Sequence, residues 1–184
     1  IKGNRIIGTG TTGEIEEFLS NQTRILDYGD KMILPGFIDS HFHFFMSASF
    51  QGRYYVDLAS SRSEEDAVAL VKAHLEANPD IDHVLGWGWF IMDWTDHKLP
   101  SKESLDQNFP DIPIYMFSND GHTCWVNTKA LEQCGITQNT TVKYGSIGKD
   151  GKGELNGLLY ENDAESGPME YAGRMKDEEW QEVE

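Results

Sequence analysis

Two histidines one residue apart, His41 and His43, are the side chains whose type and spacing best suit chemistry. In an extended strand, residues i and i+2 project to the same face. Both imidazoles would then emerge side by side, near enough to share a metal ion. Asp39 falls on that face too, while Ile38, Phe42 and Phe44 take the opposite one. A buried strand tolerates two imidazoles and a carboxylate only if they find partners. A metal ion is one such partner, and Asp39 could orient an imidazole from behind it. Two ligands alone do not make a metal site. A half-exposed strand with two surface histidines reads the same way at this level.

The context adds to the pair. Pro35-Gly36-Phe37-Ile38-Asp39-Ser40-His41-Phe42-His43 resembles the signature of the amidohydrolase superfamily, Pro-Gly-Phe-Ile-Asp-x-His-x-His, at every position. In that family the motif ends the first barrel strand and both histidines bind metal. Upstream, Ile1 to Gly10 is similar to the strand and turn that begin the family's small β-sandwich. Downstream, four segments resemble the YtcJ-like branch that includes N-substituted formamide deformylase. They are Gly86-Trp87-Gly88-Trp89, Leu105-Asp106 with Pro110 and Pro113, Asp120 to Leu131, and Gly157-Leu158-Leu159-Tyr160-Glu161.

The resemblance implies an α/β fold, the N-terminal portion of a metal-dependent (β/α)8 barrel hydrolase. Residues 1–34 would be part of a small β-sandwich, 35–49 the first barrel strand with the metal motif, 50–158 an α/β insertion, and 159–184 a return toward the barrel. It implies hydrolysis of a C–N bond in an amide, formamide or related group, through a water activated by a divalent metal. Zinc, which suits imidazole ligands, is the expected metal, with iron or manganese as the alternatives. A full barrel needs roughly 250 residues, so the expectation is a portion of a longer enzyme, inactive by itself. The family's later metal-binding histidines and its catalytic aspartate have no counterpart here. The competing reading is a non-catalytic α/β binding module, or a truncated product, that retains the signature.

His122 with Asp120, and Glu161, are further candidates through the same resemblance, and Trp89 is one by its residue type. His122, in Asp120-Gly121-His122 after an expected strand, would contact substrate or a reaction intermediate, with Asp120 beside it. Without the resemblance, Asp120 and Asn127 read as residues that bond local backbone. Glu161, ending the apolar run Leu158-Leu159-Tyr160, would complete or support the metal site, and otherwise reads as a surface carboxylate. Trp89, with Trp87 and Trp94, would line an apolar substrate pocket or pack in the core. His74 reads as packed on a helix, and His83 and His97 as surface residues.

Composition bounds the partners. Fifteen Lys and Arg against 31 Asp and Glu give a formal charge of −16. Such a chain repels phosphate-coated nucleic acid and anionic membrane surfaces. The partner that the resemblance implies is a small-molecule substrate, with homo-oligomerisation open. Cys124 and Cys134 are too few for a disulfide framework. The Asn-x-Thr sequons at Asn21 and Asn139 are short enough to arise by chance. No apolar run approaches a membrane span and no signal peptide is visible, so the expected location is cytoplasmic.

The elements that must position these residues follow from pattern. Ile6–Gly8, Arg24–Asp27 and Lys31–Leu34 read as short antiparallel strands broken by glycine. Ser63 with Asp66 suggests the start of a helix, with Ala67, Leu70, Val71, His74 and Leu75 on one face and Asn78-Pro79 as its stop. Val84–Trp89 and Ile112–Phe117 read as strands, and Pro100–Pro110 as a loop with a helical turn. Thr128–Cys134 reads as a helix stopped by Gly135. Lys149-Asp150-Gly151-Lys152 reads as a hairpin turn, and the acidic tail after Pro168 as helical.

Overall fold

The computed structural model describes residues 1–40 and 52–172, so His41 and His43 lie outside the described residues. The chain divides into two units, Ile1–Ser40 and His41–Glu184.

The first unit corrects an expectation. The three runs read as strands form no ladder among the described residues; the only pairing there is a bridge between Lys2 and Arg5. One short helix, α1 (Thr12–Ile15), is capped by Thr11, whose N–H and hydroxyl both donate to Glu14 Oε2 at 2.8 Å. The reason lies in what a strand requires. Its N–H and C=O groups point sideways and need a neighbour, and an isolated hairpin is marginal at best. The apolar residues that suggested strands stay in water, with Ile25 at 71% and Ile33 at 69% exposure.

In the second unit, residues 55–160 contribute a six-stranded mixed sheet. Its strands are β1 (Tyr55–Asp57), β2 (Val84–Trp89), β3 (Ile114–Ser118), β4 (Thr123–Val126), β5 (Ser146–Lys149) and β6 (Leu155–Tyr160), in the order β1-β2-β3-β4-β6-β5. β1, β2 and β3 run parallel; the β3–β4, β4–β6 and β5–β6 pairs are antiparallel. The helices are α2 (Glu64–Ala77), α3 (Lys102–Asn108), α4 (Thr128–Gln133) and α5 (Asn162–Ala172). β1 and β4, three and four residues long, were not foreseen; such short runs carry no readable period.

Local signals act as expected. Ser63 Oγ accepts from Asp66 N at 3.1 Å, while the Asp66 carboxylate reaches back to Arg62 N at 3.0 Å rather than to Ser63. Gly135 follows α4 at φ +65°, the left-handed conformation a helix stop needs. Asp150 Oδ1 accepts from Lys152 N and Glu154 N at 2.8 and 2.9 Å, which closes the β5–β6 turn.

The two faces of the sheet carry separate cores. One gathers Val71, Leu105, Ile114, Met116, Trp89, Trp94 and Trp125 under α2 and α3. The other gathers Tyr115, Phe117, Cys124, Leu131, Leu159 and Ala164 with α4 and α5. Gly88 decides which face receives Trp89. At φ +108° it marks an irregularity in the β2–β3 register between Trp87 and Trp89. Strict alternation would put both indoles on one face; the bulge sends Trp89 to the α2/α3 core and leaves Trp87 against Phe117.

Asn127 and Asp106 tie helices to the sheet. Asn127, fully buried, caps α4 by accepting from Ala130 N at 2.9 Å and also accepts from Ile114 N at 3.1 Å. Its amide donates to Phe109 O and Ile112 O, each at 2.8 Å. Asp106 accepts from Thr128 N and Thr128 Oγ1 at 2.7 Å each, holding α3 to the start of α4.

Candidate functional site

Asp120, His122 and Glu161 come together where β3 ends, β4 begins and β6 ends. Loops at strand ends suit function because the scaffold beneath them is rigid. The turn between β3 and β4 is built by Ser118 and Asp120. Ser118 Oγ donates to Asp120 Oδ1 at 2.6 Å and accepts from Thr123 N at 3.1 Å. Asp120 Oδ1 also accepts from His122 N at 3.1 Å. Gly121, at φ +73°, lies on Trp87: a Cβ there would sit 3.0 Å from the indole ring. Asp120 and Asn127 do bond local backbone, and His122 is presented outward by that scaffold.

His122 meets a residue far along the chain. Its Nδ1 lies 3.2 Å from Glu161 Oε2, with both side chains more than half exposed. Glu161 N donates to His122 O at 3.2 Å, so backbone and side chain both bind the two segments. Glu161 sits at φ +64°, a left-handed conformation uncommon outside glycine. The hydrogen bond that His122 Nδ1 donates to the Glu161 carboxylate, and then the Glu161 charge, hold the His122 pKa above the ordinary imidazole range. Partial burial pushes the Asp120 carboxyl up, but the Ser118 hydroxyl and the His122 N–H outweigh it, and its pKa lies below the usual value.

One member of the cluster was not singled out from the sequence. Glu165, one turn beyond Glu161 on α5, is 6% exposed and its Oε1 reaches no hydrogen-bond partner. Burial, then the Glu161 charge, with Asp120 adding and His122 opposing, pushes its carboxyl up to about 7. Its spacing of four from Glu161 was readable, but its burial depends on how α5 lies on the sheet.

Trp89 lies away from this cluster. It is 2% exposed, donates Nε1 to Met116 O at 2.8 Å, and packs against Trp94 and Trp125 at ring distances of 5.6 and 6.2 Å. Trp87 is the indole that touches the Asp120–His122 turn. His74 is half-buried as expected, with Nε2 2.8 Å from Arg53 O. His83 is not a plain surface residue: it stacks on Tyr54 at 4.4 Å and meets Asp82 at 2.7 Å. His97 is exposed, and its Nδ1 lies 2.9 Å from Ile91 O.

Among the described residues, no group of three His, Cys, Asp or Glu side chains is placed to hold a metal ion. The carboxylate of Glu161 is engaged by His122. The imidazole pair that fits a metal by chemistry, His41 and His43, belongs to the residues not described. Among the described residues, no helix is long and apolar enough to cross a membrane.

The fold has solved counterparts. A metal-dependent hydrolase from Pyrococcus horikoshii OT3 matches with a TM-score of 0.52 at 23% identity, over 76% of this chain and 25% of that one. A metal-dependent hydrolase from Pyrococcus furiosus matches with a TM-score of 0.54 at 21% identity, over 81% and 28%. At such identity the likeness speaks for the fold.

The sequence speaks for the family: the amidohydrolase family model matches residues 24–182, and the chain belongs to that family. It is 31% identical over 158 residues to YtcJ of Bacillus subtilis (strain 168), covering 85% of this chain and 30% of that protein. It is 25% identical over 162 residues to N-substituted formamide deformylase of Arthrobacter pascens, covering 88% and 30%. The chain thus spans about a third of the length of the curated relatives it matches.

Proposed function

We propose that the intact protein is a metal-dependent hydrolase that cleaves a C–N bond of an amide, formamide or related group. The observation that carries this reading is the Pro35-to-His43 motif, found within a stretch that the amidohydrolase family model matches. His41 and His43 would hold the divalent ion, for which zinc suits imidazole donors. When bound, that ion would lower the pKa of a water and polarise the substrate carbonyl. The remaining architecture, a (β/α)8 barrel with a small β-sandwich that includes residues 1–34, belongs to the same proposal.

Within this chain the group suited to proton work is His122. Glu161 on its Nδ1 favours the charged ring and fixes its orientation, which leaves Nε2 to face a ligand. We take Glu161 as the partner of His122, and Asp120 as the residue that sets the turn presenting it. A small-molecule substrate agrees with the net charge of −16.

The test replaces His41 and His43 together with Ala in the intact protein. Bound metal, measured by elemental analysis, should be lost, together with hydrolysis of N-formyl and N-acyl amines. Unchanged metal content would overturn the reading.

A further inference from the structure

Helix α5 is made from residues that do not favour a helix. Ser166-Gly167-Pro168 stands in its middle. Pro168 has no N–H to give the Ala164 carbonyl, and its ring crowds that turn; glycine adds backbone freedom that the helix must give up. Docking, rather than propensity, therefore holds the helix. Ala164 and Pro168 are buried, and Tyr171 stacks on Tyr115 at 5.7 Å and receives a hydrogen bond from Gln133. Gly167 lies so close to Cys134 that a Cβ there would stand 2.9 Å from Cys134 Cβ and 3.0 Å from its Sγ.

The docked surface buries a carboxyl: Glu165 is 6% exposed, and its Oε1 meets no hydrogen-bond partner among the described residues. The Tyr115 hydroxyl lies against Cys134 on the same face. Glu165 is on α5, and Tyr115 is on β3 beneath Tyr171. A cleft of about 440 Å³ already opens beside the helix, lined by Cys134, Ile136, Val142, Asp163 and Gly167 among others. The joint between β6 and α5 is Glu161 at φ +64°, a left-handed conformation that a residue with a Cβ holds at a cost.

We propose that α5 is a latch: it undocks as a unit by pivoting at Glu161 while the sheet stays paired, and its docking keeps Glu161 against His122. Undocking lets water reach the Tyr115 hydroxyl and Glu165, and it uncovers Cys124, which is fully buried on that face of the sheet. Rotation at Glu161 carries its carboxylate away from His122 Nδ1. The latch stands whether or not His122 takes part in hydrolysis.

Thiol labelling tests it. The protein is exposed to iodoacetamide over a urea series, and labelled Cys124 and Cys134 are separated by peptide mass spectrometry. Amide exchange of β2 and β3 is followed in parallel. At low urea, Cys124 should label at least tenfold faster than β3 amides exchange, and with a weaker urea dependence. Gly167→Ala wedges α5 off Cys134 and should speed Cys124 labelling at least tenfold. In that variant the His122 ring signals should move toward those of Glu161→Gln in NMR spectra. If Gly167→Ala does not fold, Pro168→Ala restores the helical bond to Ala164 and should slow labelling at least threefold. The latch is overturned if Cys124 labels only in step with β3 exchange. It is overturned equally if the His122 signals stay in place while Cys124 labelling accelerates.

Discussion

Replacing Asn127 with Ala removes four hydrogen bonds from one fully buried point. Two backbone donors, Ala130 N–H and Ile114 N–H, and two acceptors, Phe109 O and Ile112 O, lose their partner at 2.8–3.1 Å. The lost N-cap alone is worth about 1 kcal/mol. Each buried backbone group left unsatisfied costs about 1–3 kcal/mol. Relaxation and an entering water recover part of that, so the expected loss is about 3–5 kcal/mol, against a usual total stability of about 5–15 kcal/mol. Asn127→Asp keeps the accepting oxygen but turns a second oxygen on two carbonyls, so its loss should be at least as large. The assay is equilibrium urea unfolding followed by tryptophan fluorescence, since Trp89, Trp94 and Trp125 are all buried. With a slope of about 2 kcal/mol/M, the midpoint should fall by about 1.5–2.5 M. Asn139→Ala, on an exposed turn, is the control and should leave the midpoint in place. A fall of less than about 0.5 M for Asn127→Ala, roughly 1 kcal/mol at that slope, would show that these groups are rehydrated without penalty and refute the reasoning.

Two further outcomes follow from the sheet and the cluster. Gly88→Ala forces an L side chain to φ +108° and sets its Cβ 3.1 Å from Ala59 N; it should cost about 1–3 kcal/mol in the same unfolding assay, and an unchanged midpoint would mean that the bulge can shift. The Glu165 carboxyl is pushed up to about 7 in the folded protein, above the 4.5 of a solvated carboxyl, so the folded state binds more protons between those values. Stability should therefore fall as pH rises from about 4.5 through about 7, and Glu165→Gln, which faces the same Glu161, His122 and Asp120, should flatten that fall; identical pH profiles for both proteins would refute it.

What could be read from the chain alone was whatever its near neighbours decide. Ser63 starts α2 because its hydroxyl reaches an N–H three residues on; Gly135 stops α4 because it lacks a Cβ; Asp150 turns the β5–β6 hairpin by bonding two and four residues ahead. The Pro35-to-His43 motif marked the family in the same local way. Pairing across distance was not readable. The runs in residues 1–34 look like strands but form no ladder among the described residues, because a ladder needs a second chain segment that no local pattern supplies. Gly88 sends Trp89 into the core through a break in register with β3, and that break exists only once the two strands are paired. Asp120, His122 and Glu161 could be named in advance, yet the contact between His122 and Glu161 joins positions 39 residues apart. Only the β4–β6 pairing brings them within hydrogen-bonding reach, and only the docking of α5 beside them makes Glu165 a buried acid rather than a solvated one.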